Sequence, residues 1–394
     1  MSKDFERKSL FRITYPLFLY AMVTVAVTFA DTAILSNYDE NLTAAVSLAN
    51  QILGVAYDLS ALLSVGALVL ISQYLGRDEV DRARDIAKVA LLGGMALGLL
   101  ITGGLVLGAR SFAGWVNTPA EILPDVLIYI YIIATALVFH GFIMSAQVTL
   151  TGFGRTLPIL TIGVVANFVY LGLEYALIYG AWGMPEMGVY GAALSTVIVR
   201  GGTLVLLLVV LWRVCDLSLA GWPVNFRSQV VRILKISYPS VAETLAYNLY
   251  QLAVVSMIAA LGVSAVLTRS YALTLTQILI IITFVISHGN QVLVGYDKGA
   301  GENEAALRRG QRTALITGAF AMGATMLFYL IHEPLLGILT QDPEILSSIA
   351  AILLLQVFVM PLRTVNLILF NSLKACGDVN RPVIASLLLT FGIA

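Results

Sequence analysis

Asp31, Asp58, Glu174 and Glu243 stand inside stretches of otherwise apolar sequence. An ionised side chain at the centre of a bilayer costs at least about 2.5–3.5 kcal/mol on insertion scales. Such a group faces the interior of a helix bundle or water. There a carboxyl can hold a proton, because desolvation favours the neutral form, or a cation, whose charge favours the ionised form. Glu174 comes with companions. Asn167, Tyr170 and Glu174 are spaced i, i+3 and i+7, which puts an amide, a phenol and a carboxyl on one stripe of a helix. A glutamic acid can take up a proton and a tyrosine hydroxyl can bond to it.

Three arginines also fall within apolar segments: Arg200, Arg269 and Arg363. Asp58 is expected to pair with Arg200 or Arg269 in a structural ion pair. Glu243 follows Pro239 by four residues, near the start of a span; it either lines an internal cleft or snorkels to the interface. Tyr20, Tyr57, Tyr247 and Tyr250 either stack on flat cations or pack the core. His140 and His288 are isolated and read as hydrogen-bonded packing residues. No metal site is expected. Gly299-Ala-Gly301 has no preceding strand and no Lys-Ser/Thr at phosphate-loop spacing, so no nucleotide site is expected. Asn41-Leu-Thr43 matches a glycosylation sequon.

The elements that position these residues are membrane helices. Hydrophobic residues make up 59% of the 394-residue chain and charged residues 12%, with a mean hydropathy of +0.90. Soluble domains carry about 25% charge. Apolar stretches of membrane-spanning length recur, and the alternation of a membrane β-barrel is missing. The fold class is an all-α polytopic membrane protein. Spans are expected near 13–35, 43–75, 86–109, 124–150, 156–179, 187–213, 236–260, 264–297, 311–331 and 345–372, with another beginning near 382. The second span of each half is too long to cross straight, so it must tilt, bend or project. Net charge is zero, which implies no nucleic-acid surface. Cys215 and Cys376 do not suggest a disulfide framework.

The chain also repeats itself. Ile13-Thr-Tyr15-Pro16 returns as Ile236-Ser-Tyr238-Pro239, Gly66 as Gly289, Gly76 as Gly299 and Gly154 as Gly377, at a constant offset of 223. A chain-length repeat in so apolar a sequence marks a two-bundle transporter. It predicts an N-terminal lobe at 1–213, a cytoplasmic linker at 214–235 and a C-terminal lobe at 236–394, cut off within its fifth span. Lys and Arg set the orientation. Apart from Arg110, Arg200, Arg269 and Arg363, all 23 fall at ends that are cytoplasmic when the N-terminus is inside. A multi-pass protein of a bacterial or archaeal plasma membrane is expected.

The motifs then resemble the multidrug and toxic compound extrusion (MATE) family, within the superfamily that includes lipid-linked oligosaccharide flippases. They are Phe29-Ala-Asp31-Thr32, Leu70-Ile-Ser-Gln-Tyr-Leu-Gly76, Gly180-Ala-Trp-Gly-Met-Pro185-Glu-Met-Gly188, Gln291-Val-Leu-Val-Gly295 and Asn371-Ser-Leu-Lys-Ala-Cys-Gly377-Asp378. The resemblance implies two pseudo-symmetric six-helix lobes around a cleft. It also implies export of small organic, often cationic, compounds by alternating access, driven by H+ or Na+ and not by a cofactor. Asp31 matches the family's span-one aspartate, and Tyr170 stands where an Asn is common.

The expected cation-coupling site is therefore Asp31, Glu174, Asn167 and Tyr170; the alternative is a polar cluster joining spans one and five. Glu243, Tyr247, Arg363 and Asn366 are the expected substrate cleft. Arg363 is the repeat counterpart of His140, and that region has no acid, so coupling is expected in the first lobe. The rival functions are a lipid-linked or specific-metabolite flippase and, from another class, a membrane-embedded lipid-modifying enzyme. The protein is expected to act as a monomer.

Overall fold

The computed structural model describes residues 7–116, 118–217, 223, 225–259, 263–332 and 343–392. Lys3 and much of the expected linker lie outside them. Nearly all the described residues are helical, with no strand among them. The helices are α1 (Leu10–Tyr38), α2 (Glu40–Ser60), α3 (Leu62–Gly76), α4 (Val80–Trp115), α5 (Leu123–Gly152), α6 (Leu157–Tyr179), α7 (Val189–Cys215), α8 (Phe226–Ala259), α9 (Val263–Gly299), α10 (Asn303–Leu330), α11 (Pro343–Ala375) and α12 (Asn380–Gly392). Among the described residues, nine stretches are long and apolar enough to cross a membrane, with α2 and α3 counted together as Asn41–Gly76. Phe226–Lys235, which the sequence suggested as linker, already belongs to α8.

The over-long second span is solved differently in the two halves. In the first, the helix is interrupted at Ala61. The Ser60 hydroxyl donates to the Tyr57 carbonyl at 2.8 Å, and the Ala61 N–H also reaches that carbonyl at 3.2 Å. A side chain competing for a carbonyl of the ladder is a recognised cause of bending. In the second half, α9 runs through 37 residues without a break.

The chain divides into two compact units, Met1–Val241 and Ala242–Ala394. Small residues bring helices together in the first. Gly94 and Gly98 of α4 lie against the α5 backbone at Gly141 and Leu137. Ser145 donates to the Ala90 carbonyl at 2.8 Å and Thr102 to the Ala134 carbonyl at 2.6 Å. With lipid as solvent, such close backbone packing and interhelical hydrogen bonds hold helices together. Around this seam lies a core of Leu53, Ile130, Ile133, Leu137 and Ile178, all buried. The first turns of α8 join the same unit, where the Gly66 N–H donates to the Ser237 hydroxyl at 2.8 Å.

In the second unit, a polar ladder joins α9 to α11. Thr283 meets Thr364 at 3.2 Å, Asn371 donates to Ser287 at 2.8 Å, and Asn290 donates to Ser372 at 3.0 Å.

Candidate functional site

The site lies where α1 meets α6. Gly163 of α6 faces the ring of Tyr20 on α1 so closely that a Cβ there would collide with it. Tyr20 is thereby used in packing. Further along, the Tyr179 hydroxyl donates to the Ile34 carbonyl at 3.0 Å. These contacts bring the 167–174 stripe against Asp31. Gly180, with φ +67°, then ends α6 in the left-handed conformation that glycine adopts without strain.

At the centre, the Tyr170 hydroxyl is 2.6 Å from Asp31 Oδ1 and 2.9 Å from Glu174 Oε1. Asp31 is half-buried, while Glu174 is only 1% exposed. Its second oxygen, Oε2, is buried and makes no hydrogen bond. Asn167 faces the same helix but further along, and donates to Thr24 Oγ1 at 3.4 Å. Three of the four expected coupling residues therefore form one hydrogen-bonded trio, with Asn167 beside it.

The other candidates make contacts of their own. The Arg200 guanidinium lies over the ring of Tyr57, 4.6 Å from its centroid, and its buried Nη1 has no hydrogen-bond partner. Tyr57 in turn packs on His140, with ring centroids 4.8 Å apart. His288 bonds the Phe284 carbonyl of its own helix at 3.1 Å. Arg269 is half-buried on α9.

In the second unit, Glu243 forms an ion pair with Lys374 at 2.7 Å, the two side chains 20% and 12% exposed. Arg363 donates to the Tyr247 hydroxyl at 3.2 Å, and Asn366 is exposed one turn further along α11. Sequence reasoning missed Lys374 as the partner of Glu243, and also the α9–α11 ladder. The signal for the ladder was present: Thr283, Ser287 and Asn290 are spaced i, i+4 and i+7.

A buried glutamate and a half-buried aspartate bridged by a phenol, on helices of membrane-spanning length, suit a membrane carrier. A family model for MatE matches residues 16–176 and 239–394, two stretches that begin at the repeated prolines. The chain belongs to the MatE family of transporters. It is 28% identical over 387 residues to an uncharacterized transporter, YisQ, of Bacillus subtilis, covering 98% of this chain and 85% of the relative. It is 25% identical to a probable multidrug resistance protein, NorM, of Thermotoga maritima, covering 96% and 82%. Among solved structures, the MATE transporter VcmN of Vibrio cholerae in its bent form superposes with a TM-score of 0.84 at 17% identity, covering 97% of this chain and 86% of that one. A MOP superfamily transporter of Pyrococcus furiosus, described as having a binding pocket of reversed polarity, superposes with a TM-score of 0.82 at 17% identity, covering 97% and 85%.

Proposed function

We propose that this chain is a proton-coupled exporter of small organic cations, working by alternating access in a bacterial or archaeal inner membrane with its N-terminus inside. The observation that carries the coupling is the hydrogen count at Tyr170. A phenol has one hydrogen to donate, yet its oxygen stands at hydrogen-bond distance from two carboxyls. Two oxygens that close repel unless a hydrogen lies between them. Tyr170 fills one gap by donating to Asp31, and the second gap is filled by a proton on Glu174. Glu174 is buried, and its other oxygen has no hydrogen-bond donor. The trio is thus a place that holds a proton the bulk phase can supply and remove. A cationic substrate and that proton compete for the same negative charge, which couples their movements. The relatives named as multidrug resistance proteins support the export of small organic compounds.

The second reading is a flippase or exporter for an anionic or zwitterionic compound. Arg200 favours it, because its buried Nη1 has a hydrogen bond left to give, and so does the exposed Arg363.

Efflux of a fluorescent cationic dye from everted membrane vesicles tests the proposal, with proton and sodium gradients imposed separately. Efflux driven by protons alone and lost in Asp31→Asn is expected. Sodium-driven efflux would overturn proton coupling. No efflux under either gradient, from well-expressed protein, would move the assignment to the anionic reading.

A further inference from the structure

The first unit carries a groove of about 710 Å³ where α8 begins, lined by Phe226, Arg227, Ser228, Val231, Arg232 and Lys235. Through Ser228 and Arg232 it continues into a hollow of about 450 Å³ that reaches Tyr74, Arg82 and Asp85. We propose that this groove binds a phosphate group, as carried by the headgroup of an anionic phospholipid.

The charge is one-sided. Arg227, Arg232 and Lys235 line the larger hollow with no carboxylate among its walls. Asp85 is the acid of the smaller one, and Arg82 there is already paired with Glu79 at 3.0 Å. A concave surface of one sign concentrates ions of the other. Arg227 and Lys235 are exposed, and neither makes an ion pair among the described residues.

Arg232 is held ready. Its Nη1 donates to the Tyr74 hydroxyl at 2.5 Å, and its guanidinium stands 5.5 Å from the centroid of that ring. Tyr74 is 9% exposed, so the anchor is fixed. The remaining donors of the guanidinium fork keep the geometry that suits phosphate oxygens. Ser228 adds a hydroxyl within the same groove. The exposed side chain of Val231 gives the wall an apolar strip, suited to the glycerol and upper acyl chain of a lipid. Anionic headgroups are drawn to basic surface of this kind.

The test uses the full chain in nanodiscs or detergent, counting bound lipid by native mass spectrometry. Dioleoyl phosphatidylglycerol and dioleoyl phosphatidylcholine are the probes, and inorganic phosphate is the competitor. The wild type is expected to retain phosphatidylglycerol over phosphatidylcholine, with retention falling as salt rises. The double variant Arg227→Gln/Lys235→Gln should bind phosphatidylglycerol roughly 30-fold more weakly, since each basic residue near such a surface contributes about a factor of five. Displacement by millimolar phosphate would mean that the free anion suffices. Resistance to it would mean that the lipid's chains contribute. Either result keeps the phosphate assignment. Equal retention of the two lipids by the wild type, or unchanged affinity in the double variant, overturns it. If the double variant does not fold, the salt series on the wild type and Lys235→Gln alone decide the matter.

Discussion

Gly94 and Gly141 face each other across the α4–α5 crossing with no room for a methyl group on either. A Cβ on Gly94 would stand 2.6 Å from the Gly141 carbonyl oxygen, and one on Gly141 would run into the Gly94 carbonyl. Backbone cannot step aside as a flexible side chain can. Gly141→Ala is therefore expected to cost about 1–3 kcal/mol through overpacking, read as a lower melting temperature in detergent. Gly103, on the same helix as Gly94, has nothing within 4 Å of its would-be Cβ. Gly103→Ala should leave stability unchanged or raise it slightly, because alanine is the better helix former. Equal behaviour of the two variants would refute the close-contact account.

The trio makes a prediction about Tyr170. Phenylalanine in its place removes the hydroxyl that bridges Asp31 and Glu174, and both of its hydrogen bonds with it. A lost hydrogen bond to a charged group is worth about 1.5–3 kcal/mol, so gradient-driven efflux should fall about ten-fold or more. Asn167→Ala touches only the bond to Thr24 and should do less. Kinetics in everted vesicles that rank the two variants the other way would remove Tyr170 from the site.

Proton competition predicts a release on binding. Adding a cationic dye to purified protein in weakly buffered solution should acidify the medium, as the dye displaces the proton shared by the trio. Glu174→Gln mimics the protonated carboxyl but has no proton to lose, so its signal should be abolished. Undiminished acidification by the glutamine variant would place the exchangeable proton elsewhere.

Ser237 tests the clasp between α3 and α8. Its hydroxyl donates to the Ile233 carbonyl at 3.0 Å and accepts from the Gly66 N–H at 2.8 Å, with the side chain fully buried. Ser237→Ala removes the tie between the two helices, at a cost of about 0.5–1.5 kcal/mol. Thermal unfolding within error of wild type would show that the tie adds nothing to stability.

The Glu243–Lys374 pair is poorly exposed, so removing one member should cost more than removing both. Lys374→Met alone leaves a carboxylate without its counter-charge, worth about 3–5 kcal/mol where such a pair is buried. Adding Glu243→Gln should restore most of that loss. A strictly additive double-mutant cycle would mean the two side chains do not interact.

Much of this was legible in the chain. Apolar length placed most of the spans, because the thickness of the bilayer sets how many apolar residues a helix needs to cross it. The trio could be anticipated because a helix of 3.6 residues per turn makes Tyr170 and Glu174 neighbours, and because Asp31 costs too much in an apolar span to be idle. What escaped were pairings between segments distant in sequence. Lys374 sits at the end of a span, where a lysine is ordinary, and nothing in its surroundings names Glu243. Gly94 and Gly141 are two among 33 glycines, and only the crossing of α4 and α5 distinguishes them. The groove at α8 was hidden for another reason: Arg227, Arg232 and Lys235 read as orientation signals and only the fold makes them concave.

The interruption at Ala61 has a mechanical consequence. Tyr57, which carries the Arg200 guanidinium, belongs to the segment before it; Gly66, clasped to Ser237, belongs to the segment after it. A continuous rod would transmit any displacement of one contact to the other. With the interruption between them, the two contacts belong to separate helical segments, α2 and α3. The unbroken α9 has no such division, so the duplicated halves of this chain are alike in sequence and unlike in how the long second span is built.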